Sequence, residues 1–414
     1  MKIVIVGAGK VGVALTRHLA VENRVTVIDQ NPHLVENIIN IYDVMGVCGN
    51  GASYDVQKEA DVEQADLLIA TTSSDEINIL TCLVAKKMGV QHTIARIRSP
   101  EYGRQLRFMR SELGLSMAIN PEAATAREIA RVLRFPTAMK LESFSKGRLE
   151  LVEYRVAEHT ALDGTRLSEL YRNFKVRVLI CAVARQGETI IPSGDFTLRA
   201  GDKIYLTAAP RELEKFFRLL GVFRARASSV MIVGASKMCY YLASELLEMG
   251  MSVKIIDQNE QRCVEMSEKL PRALVIVGDG TDSELLSEEG ISQTDAFVAI
   301  TGLDEANILM ALSAAKQSGD CCKVVAKINR KSLLELVSTE SLIDSVVSTG
   351  AVTTELILQY IRAMKNASAS KVKTLHRIVD EKVEALEFSV TPDISFAGVP
   401  LRDLNLKRGL LLAG

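Results

Sequence analysis

The residues best suited to chemistry in this sequence are three glycines near the amino terminus. Gly7, Gly9 and Gly12 follow Lys2–Val6, an apolar run that predicts a central parallel strand buried on both faces. In this spacing the first glycine permits a tight turn, the second lets the backbone approach a pyrophosphate, and the third lets the next helix pack closely on the sheet. A helix predicted over residues 11–22 would point its free amides at the same phosphates. The pattern predicts a nucleotide site.

An acidic residue follows the next predicted strand. Asp29 comes directly after Val25–Ile28 and 22 residues after Gly7, where an acid can accept hydrogen bonds from the hydroxyls of an adenosine ribose. Its carboxylate would repel the 2′-phosphate of NADP, so the position favours NAD-type or adenine nucleotides. The alternative is that Asp29 only caps the following helix, through residues 30–32.

Polar residues also follow two later apolar runs. Ligands of doubly wound sheets lie outside the carboxyl ends of the strands, so these residues are predicted to face the glycine turn. Thr72 and Ser73 follow the run 67–70, and they are candidates either for contacts to diphosphate and ribose or for the N-cap of a helix predicted over 77–88. Arg96 ends another run, where its guanidinium could pair with phosphate or remain a solvated charge at the sheet edge.

The chain carries this arrangement twice. Equivalent residues lie 227 to 229 positions apart in the pairs Gly7 and Gly234, Asp29 and Asp257, and Asn78 and Asn307. A weaker match of residues 164–170 to 398–404 extends the repeat beyond the nucleotide unit. One fold used twice explains so constant an offset.

The second copy departs from the first at two glycines. Ser236 occupies the place of Gly9, and Cys239 occupies the place of Gly12. A side chain at the middle position intrudes where a pyrophosphate would approach, so binding there should be weaker, altered or lost. A serine hydroxyl could instead donate to phosphate, which leaves retention open. Lys327 replaces Arg96 and preserves the charge.

Length and pattern together predict the domain organisation. The 414 residues exceed one core and suggest three or four domains. The predicted class is α/β, with two tandem Rossmann-like doubly wound domains, each followed by a small α+β module. Residues 149–207 show the short strands and glycine turns of such a module. The expected boundaries are 1–136 and 228–365 for the Rossmann-like domains and 137–223 and 370–414 for the modules, the last one apparently incomplete.

Composition excludes several classes of function. With 50 basic and 51 acidic residues, the net charge of −1 gives no overall attraction to nucleic acid. No apolar stretch approaches the length of a membrane span, and the first residues enter a core strand directly, so we expect a cytoplasmic protein without a signal peptide. Seven cysteines without C-x-x-C spacing indicate neither a disulfide framework nor a zinc site. The five histidines are scattered, and we predict no catalytic residue and no metal ligand.

Several of these motifs together resemble a known family. The glycine turn Gly7–Gly9, Asp29, the run 71–76 with Asn78, and the run 95–100 are similar to the regulatory subunits of Trk-type potassium uptake systems, the TrkA family of tandem RCK-domain proteins. The resemblance covers nearly the whole chain, because both the motifs and their order agree.

The resemblance implies a regulatory protein that is not an enzyme. It would bind NAD(H) and/or ATP or ADP, assemble into a homo-oligomer (a dimer or a tetramer), and gate an integral membrane Trk-type potassium transport subunit from the inner face of the membrane. It implies nucleotide contacts in the first copy at Gly7, Ala8, Gly9, Lys10, Val11, Asp29, Thr72, Ser73 and Arg96. In the second copy it implies contacts at Gly234, Ala235, Ser236, Lys237, Met238 and Asp257.

Two other functions are compatible with the residues alone. One is an NAD-dependent oxidoreductase with a degenerate second half, although no acid or base is spaced for hydride-transfer chemistry. The other is a redox or nucleotide sensor that acts on a soluble partner. Nicotinamide turnover would identify the first, and capture of an integral membrane subunit from detergent extract would exclude the second.

Overall fold

A computed structural model gives the fold of the chain. It describes residues 1–99, 101–102, 113–134, 140–144, 148–221, 227–319, 322–337, 343–367, 372–378, 383–388, 399–400 and 410–412. The chain forms two compact units. The first unit contains residues 1–130 and 229–357, and the second contains residues 131–228 and 358–414.

The first copy of the repeat is a parallel six-stranded sheet in the order β3-β2-β1-β4-β5-β6. Its central strand is the apolar run at the amino terminus, and Ile3 to Ile5 are fully buried, as the sequence predicts. The chain order reverses at β1, so the carboxyl ends of β1 and β4 flank the crevice in which such sheets hold ligands. The strands are β1 Lys2–Val6, β2 Arg24–Asp29, β3 Met45–Cys48, β4 Leu67–Ala70, β5 His92–Arg96 and β6 Met117–Ile119.

Helices connect these strands, close to where the sequence pattern places them. The helix predicted over 11–22 ends three residues earlier, and the one predicted over 77–88 begins two residues earlier and ends one residue earlier. The helices are α1 Lys10–Leu19, α2 Pro32–Tyr42, α3 Tyr54–Glu59, α4 Asp75–Lys87 and α5 Pro121–Arg134.

The second copy repeats this topology strand for strand, in the order β14-β13-β12-β15-β16-β17. Its strands are β12 Ser229–Val233, β13 Ser252–Asp257, β14 Leu274–Val277, β15 Ala296–Ala299, β16 Lys323–Lys327 and β17 Ser345–Val347. Its helices are α8 Lys237–Glu248, α9 Glu260–Lys269, α10 Ser283–Glu288, α11 Asp304–Ser318, α12 Lys331–Val337 and α13 Thr349–Ala367. The predicted duplication of a Rossmann-like fold is confirmed.

The second unit is built on an antiparallel five-stranded sheet in the order β10-β9-β11-β8-β7. Phe174, Phe216 and Phe217 pack edge to face in its core. Its elements are β7 Lys140–Phe144, β8 Leu149–Arg155, β9 Leu179–Arg185, β10 Glu188–Ile190 and β11 Lys203–Ala208, with helices α6 Leu170–Phe174 and α7 Pro210–Leu219. This is the small α+β module expected after the first Rossmann-like domain.

The end of the chain adds a β-hairpin to this unit. Strands β18, Val372–Ile378, and β19, Val383–Phe388, pair antiparallel. Val383 and Ala385 of β19 pack against Leu151 and Tyr205 of the module sheet, so the hairpin covers apolar surface there. Most of the predicted 370–414 module lies outside the described residues, as do residues 398, 401 and 404 of the weaker repeat.

The described helices include none that is both long enough and apolar enough to cross a membrane. In the same part of the chain, no three acidic, histidine or cysteine side chains come together as ligands for a metal ion. The described cysteines are all free thiols. Cys321 lies outside the described residues.

Candidate nucleotide-binding site

Two of the three glycines at the first turn are required by the backbone itself. Gly7 has φ of 106°, and a Cβ on it would lie 2.9 Å from the carbonyl carbon of Thr71 at the end of β4. A Cβ on Gly12 would lie 1.8 Å from the carbonyl oxygen of Gly7, which no relaxation of side chains could relieve. The tight turn and the close packing of helix on strand therefore both need glycine, as the sequence predicts.

Gly9 is different, because neither its own backbone conformation nor a neighbouring atom of the described residues requires a glycine there. It has φ of −75° and ψ of −173°, a conformation open to any residue, and a Cβ there would meet no atom within 4 Å. Gly9 is the N-cap residue of α1, and no side chain caps that helix. The start of α1 is therefore left without a side-chain cap, and free amides of this kind are how a helix N-terminus binds phosphate. Gly9 and Lys10 are exposed, whereas Ala8 is buried and Val11 is half-buried.

Asp29 holds the glycine turn in place. Its Oδ2 accepts a hydrogen bond of 2.6 Å from the Ala8 amide, and its Oδ1 accepts one of 2.9 Å from the Asn31 amide. The cap of α2 is Asn31, whose side chain accepts from the His33 amide. Asp29 thus lies beside the turn, and the alternative that it caps the helix is wrong. The carboxylate retains lone pairs for a ligand hydroxyl.

The turn after β4 is organised by a buried asparagine. Asn78 is fully buried, and its Oδ1 accepts hydrogen bonds from the amide of Thr72 at 2.8 Å and from its hydroxyl at 2.7 Å. Its Nδ2 donates to the carbonyl of Arg96 at 2.8 Å, so one side chain joins the ends of β4 and β5. Asn307 makes the equivalent bonds to Thr301 and Lys327 in the second copy. The sequence pattern marks this asparagine as repeated but gives it no role.

The helix cap at this turn is neither of the residues considered for it. Ser74 caps α4, because its Oγ accepts from the Ile77 amide at 3.2 Å. Thr72 is half-buried and gives its hydroxyl to Asn78, while Ser73 is exposed at the tip of the turn. The capping alternative for Thr72 and Ser73 is therefore wrong. Ser73 is positioned through its carbonyl, which accepts a hydrogen bond from Arg98.

Arg96 is not a solvated edge charge. Its Nη2 forms an ion pair of 3.5 Å with Glu122 Oε1, and its Nη1 donates to the Thr72 carbonyl at 3.3 Å. Burial lowers its pKa, an effect that the Glu122 carboxylate opposes. Arg96 Nε and Glu122 Oε2 are both buried without a hydrogen-bond partner in the described structure. The sequence pattern does not reveal Glu122, because it lies on a different element, α5.

A second acid fixes the chain beyond β5. Asp75 is buried, and its Oδ2 accepts hydrogen bonds from the amides of Arg98 at 2.9 Å and Ser99 at 2.8 Å. Asp304 binds the amides of Asn329 and Arg330 in the same way. Both copies therefore keep the same backbone frame around the crevice. Differences between the two sites therefore come from the side chains around this frame.

In the second glycine turn, a serine side chain caps the helix that follows. Gly234 keeps the positive φ, at 112°, and Asp257 accepts from the Ala235 amide at 2.6 Å, as in the first copy. Ser236, however, caps α8, and its Oγ accepts from the Cys239 amide at 3.4 Å. One of the amides left free in the first copy is therefore used within the protein. Lys237 is exposed, and Met238 is buried.

Two other groups distinguish the second copy. Cys239 is fully buried where Gly12 stands in the first copy, and burial raises the pKa of its thiol. Lys327 makes a long contact of 3.5 Å from Nζ to the Ile300 carbonyl. Burial lowers the pKa of Lys327, against the opposing influence of the Asp304 and Glu122 carboxylates. Lys327 preserves the positive charge of Arg96, but it lacks the planar guanidinium that can bind a phosphate through two hydrogen bonds.

The fold and the paired glycine turns define a protein with tandem Rossmann-like nucleotide-fold domains and a small α+β module. Residues 3–121 and 230–349 match the TrkA-N domain family, and residues 151–221 match the TrkA-C domain family. The chain belongs to the TrkA family of Trk system potassium uptake proteins. The resemblance and the fold class predicted from the sequence are both confirmed.

Individual relatives span nearly the whole chain. The chain is 32% identical over 420 residues to the Trk system potassium uptake protein TrkA homolog 1 of Methanosarcina mazei. This match covers 100% of this chain and 91% of the relative. It is 33% identical over 414 residues to TrkA of Vibrio alginolyticus, covering 99% and 89%. Among solved structures, the GsuK RCK domain shares the fold with a TM-score of 0.66 at 20% identity, covering 91% of this chain and 79% of that chain. The GsuK channel bound to NAD has the same TM-score at 21% identity, covering 91% and 66%.

Proposed function

We propose that this protein binds NAD(H), or ATP and ADP, at the first glycine turn and thereby regulates a Trk-type potassium transporter. The observation that carries the proposal is the uncapped start of α1. Gly9 leaves open space beside the free amides, and Asp29 lies on the other side of the same turn. A diphosphate on the amides and a ribose on the carboxylate would satisfy both groups at once.

The remaining contacts follow from the same geometry. The diphosphate would lie on the backbone of Gly7 to Val11, within reach of Thr72 and Ser73 after β4. Arg96 would pair with phosphate in exchange for its long contact to Glu122. The negative charge of Asp29 opposes a 2′-phosphate, so NADP is disfavoured. The GsuK structures, one bound to NAD and one to ADP, support this ligand class for a protein of the same fold.

We propose a weaker or different site in the second copy, at Gly234 to Met238 and Asp257. The acid and the turn are retained, which favours a nucleoside contact. The serine cap competes with phosphate for the start of α8, which weakens the diphosphate contact. The two turns would then respond to different ligands or to different concentrations of one ligand.

Regulation requires that the ligand bind one quaternary arrangement more tightly than another. A coupling of about 1 to 3 kcal/mol between nucleotide and transporter is typical of such systems. We propose that the protein is a homo-oligomer, a dimer or a tetramer, on the inner face of the cell membrane, docked on the integral membrane transport subunit. Relatives described as potassium uptake proteins support a regulatory part in transport over an oxidoreductase.

Two measurements test the proposal. Calorimetric titration of the purified protein with NADH, NAD, ATP and ADP should show saturable binding of at least one of them, and NADP should bind more weakly than NAD. Potassium flux through vesicles that contain the transport subunit and this protein should then change on addition of the bound nucleotide. Binding without any change in flux would refute the regulatory role, and turnover of NADH with a carbonyl substrate would favour an oxidoreductase.

A further inference from the structure

Tyr241 joins the two copies of the repeat. Its hydroxyl donates to the carbonyl oxygen of Arg98 at 3.2 Å and accepts from Asn120 Nδ2 at 2.8 Å. Both partners belong to the first copy, whereas Tyr241 belongs to the second. Burial raises the pKa of this tyrosine, so it keeps its proton and can donate at neutral pH. The bonds therefore form a neutral, fully paired link across the two copies.

On the first-copy side, the link ends at the cap of a helix. Asn120 Oδ1 accepts from the Ala123 amide at 2.8 Å, and Pro121 occupies the first helical position of α5, where proline is favoured. Asn120 Nδ2 is left with Tyr241 and, at 3.3 Å, with the Arg98 carbonyl. Tyr241 thus helps to fix the Asn120 side chain, which both caps α5 and contacts the chain beyond β5.

On the second-copy side, the link begins at a glycine turn. Tyr241 lies in the second turn of α8, five residues after Ser236, the residue that caps α8. A change in the capped start of α8 would move the tyrosine ring with the helix. Tyr240, its neighbour on the same helix, contacts the Tyr241 ring at a centroid distance of 5.6 Å. Its hydroxyl has no hydrogen bond to any described residue.

The equivalent link is missing at the other pair of positions. The repeat places Ala14 of α1 where Tyr241 lies in α8, and Ser348 where Asn120 lies. Ser348 caps α13, with its Oγ accepting from the Ala351 amide at 3.4 Å, but it has no amide donor to spare. The methyl side chain of Ala14 can neither donate nor accept a hydrogen bond. A tyrosine link therefore runs from the second glycine turn to α5, and the equivalent positions Ala14 and Ser348 do not form one from the first turn to α13.

We propose that Tyr241 is a coupling residue that transmits the state of the second glycine turn to the start of helix α5. The cap of α8 at Ser236 and the cap of α5 at Asn120 are connected through its hydroxyl. Loosening one cap loosens the other only while the hydroxyl is present. The proposal concerns communication between the copies, so it holds whichever ligand binds and its test needs none.

The test measures hydrogen exchange of the Ala123 and Ala124 amides, whose hydrogen bonds are both made to Asn120. Tyr241→Phe removes one oxygen and should speed this exchange about fivefold, the factor expected for one neutral hydrogen bond. Tyr240→Phe is the matched control and should leave exchange unchanged. Ser236→Ala should also speed exchange at Ala123 and Ala124 in the parent chain but not in the Tyr241→Phe background.

Two results would overturn the proposal. One is an equal effect of Ser236→Ala in the two backgrounds, which would mean that the signal travels by another route. The other is unchanged exchange at α5 after Tyr241→Phe, which would mean that the hydroxyl does not hold the cap. Circular dichroism of each variant establishes that the comparison is made between folded proteins.

Discussion

The carboxylate of Asp29 accepts a 2.6 Å hydrogen bond from the amide of Ala8, which places the acid and the glycine turn in one rigid arrangement. Asp257 and Ala235 repeat this contact at the same distance. The acid therefore has a structural part as well as its proposed part in recognising ribose. The matching pair in the second copy makes the two parts separable by experiment.

Asp29→Ala should weaken nucleotide binding at the first site by about 1.5 to 3 kcal/mol, the range for a hydrogen bond to a charged group. Asp257→Ala removes the same support from the second turn and is the matched control. Calorimetry should show that the first substitution lowers the affinity of the tighter binding event and that the second leaves this affinity unchanged. Unchanged affinity in Asp29→Ala would remove this residue from the site.

Gly9→Ser should give the first turn the cap found in the second. We expect the hydroxyl to compete for an amide at the start of α1 and to reduce nucleotide affinity by about tenfold, or about 1.4 kcal/mol. The midpoint of thermal unfolding should stay the same or rise slightly, because a capped helix is more stable. Ser236→Gly is the reciprocal variant and should strengthen binding at the second turn. Equal affinities in parent and Gly9→Ser proteins would contradict this account of the open turn.

Thr81→Val should stabilise the protein by about 1 kcal/mol, because it replaces a buried hydroxyl with a methyl group of similar size. Thr81 is fully buried on α4, and its Oγ1 has no hydrogen-bond partner in the described structure. Thr16 on α1 is equally buried, but its hydroxyl donates to the Gly12 carbonyl at 2.8 Å. Thr16→Val should therefore be destabilising. Thermal melts of both variants that shift in the same direction would argue against this assignment.

Glu150→Gln should raise stability at neutral pH. Glu150 is buried, and burial raises the pKa of its carboxyl despite the ion pair of 2.9 Å with Arg134. A carboxyl whose pKa is higher in the folded state favours folding when it is protonated, and that contribution is lost as pH rises through the folded-state pKa. The advantage of the variant should therefore appear above about pH 4, the ordinary range of glutamate, and level off once the carboxyl is ionised in the folded state.

The control for this prediction is Glu214→Gln, which affects an exposed pair with Arg218 on α7. Such a surface pair contributes little to stability. Glu214→Gln should therefore have the same melting temperature as the parent protein at every pH. An advantage of Glu150→Gln that is independent of pH would show that ionisation of this carboxyl is not the cause.

The sequence predicts those features that depend on neighbouring residues. The strand at Lys2–Val6, the tight turn at Gly7 and the close packing at Gly12 follow from local residue types, and the constant offset reveals the second copy. These features indicate the doubly wound class of both sheets. They also place the two glycine turns correctly.

The remaining features depend on contacts between distant elements. Nothing in the run 71–76 distinguishes Ser74 as the cap of α4 from its neighbours, because the choice depends on how the chain leaves β4. The partner of Arg96 is on α5, 26 residues later, and the partner of Asn120 is on the other copy, 121 residues later. Periodicity does not encode such pairs.

The link between Tyr241 and Asn120 has a consequence for how such a protein can evolve. In a symmetric homodimer of single-copy chains, any contact across the two-fold axis occurs twice, so a substitution that creates one link creates its mirror image. Fusing the two copies into one polypeptide removes that constraint. Each half can then acquire its own residue, so the fused chain can hold a link at one pair of positions without its mirror image at the other.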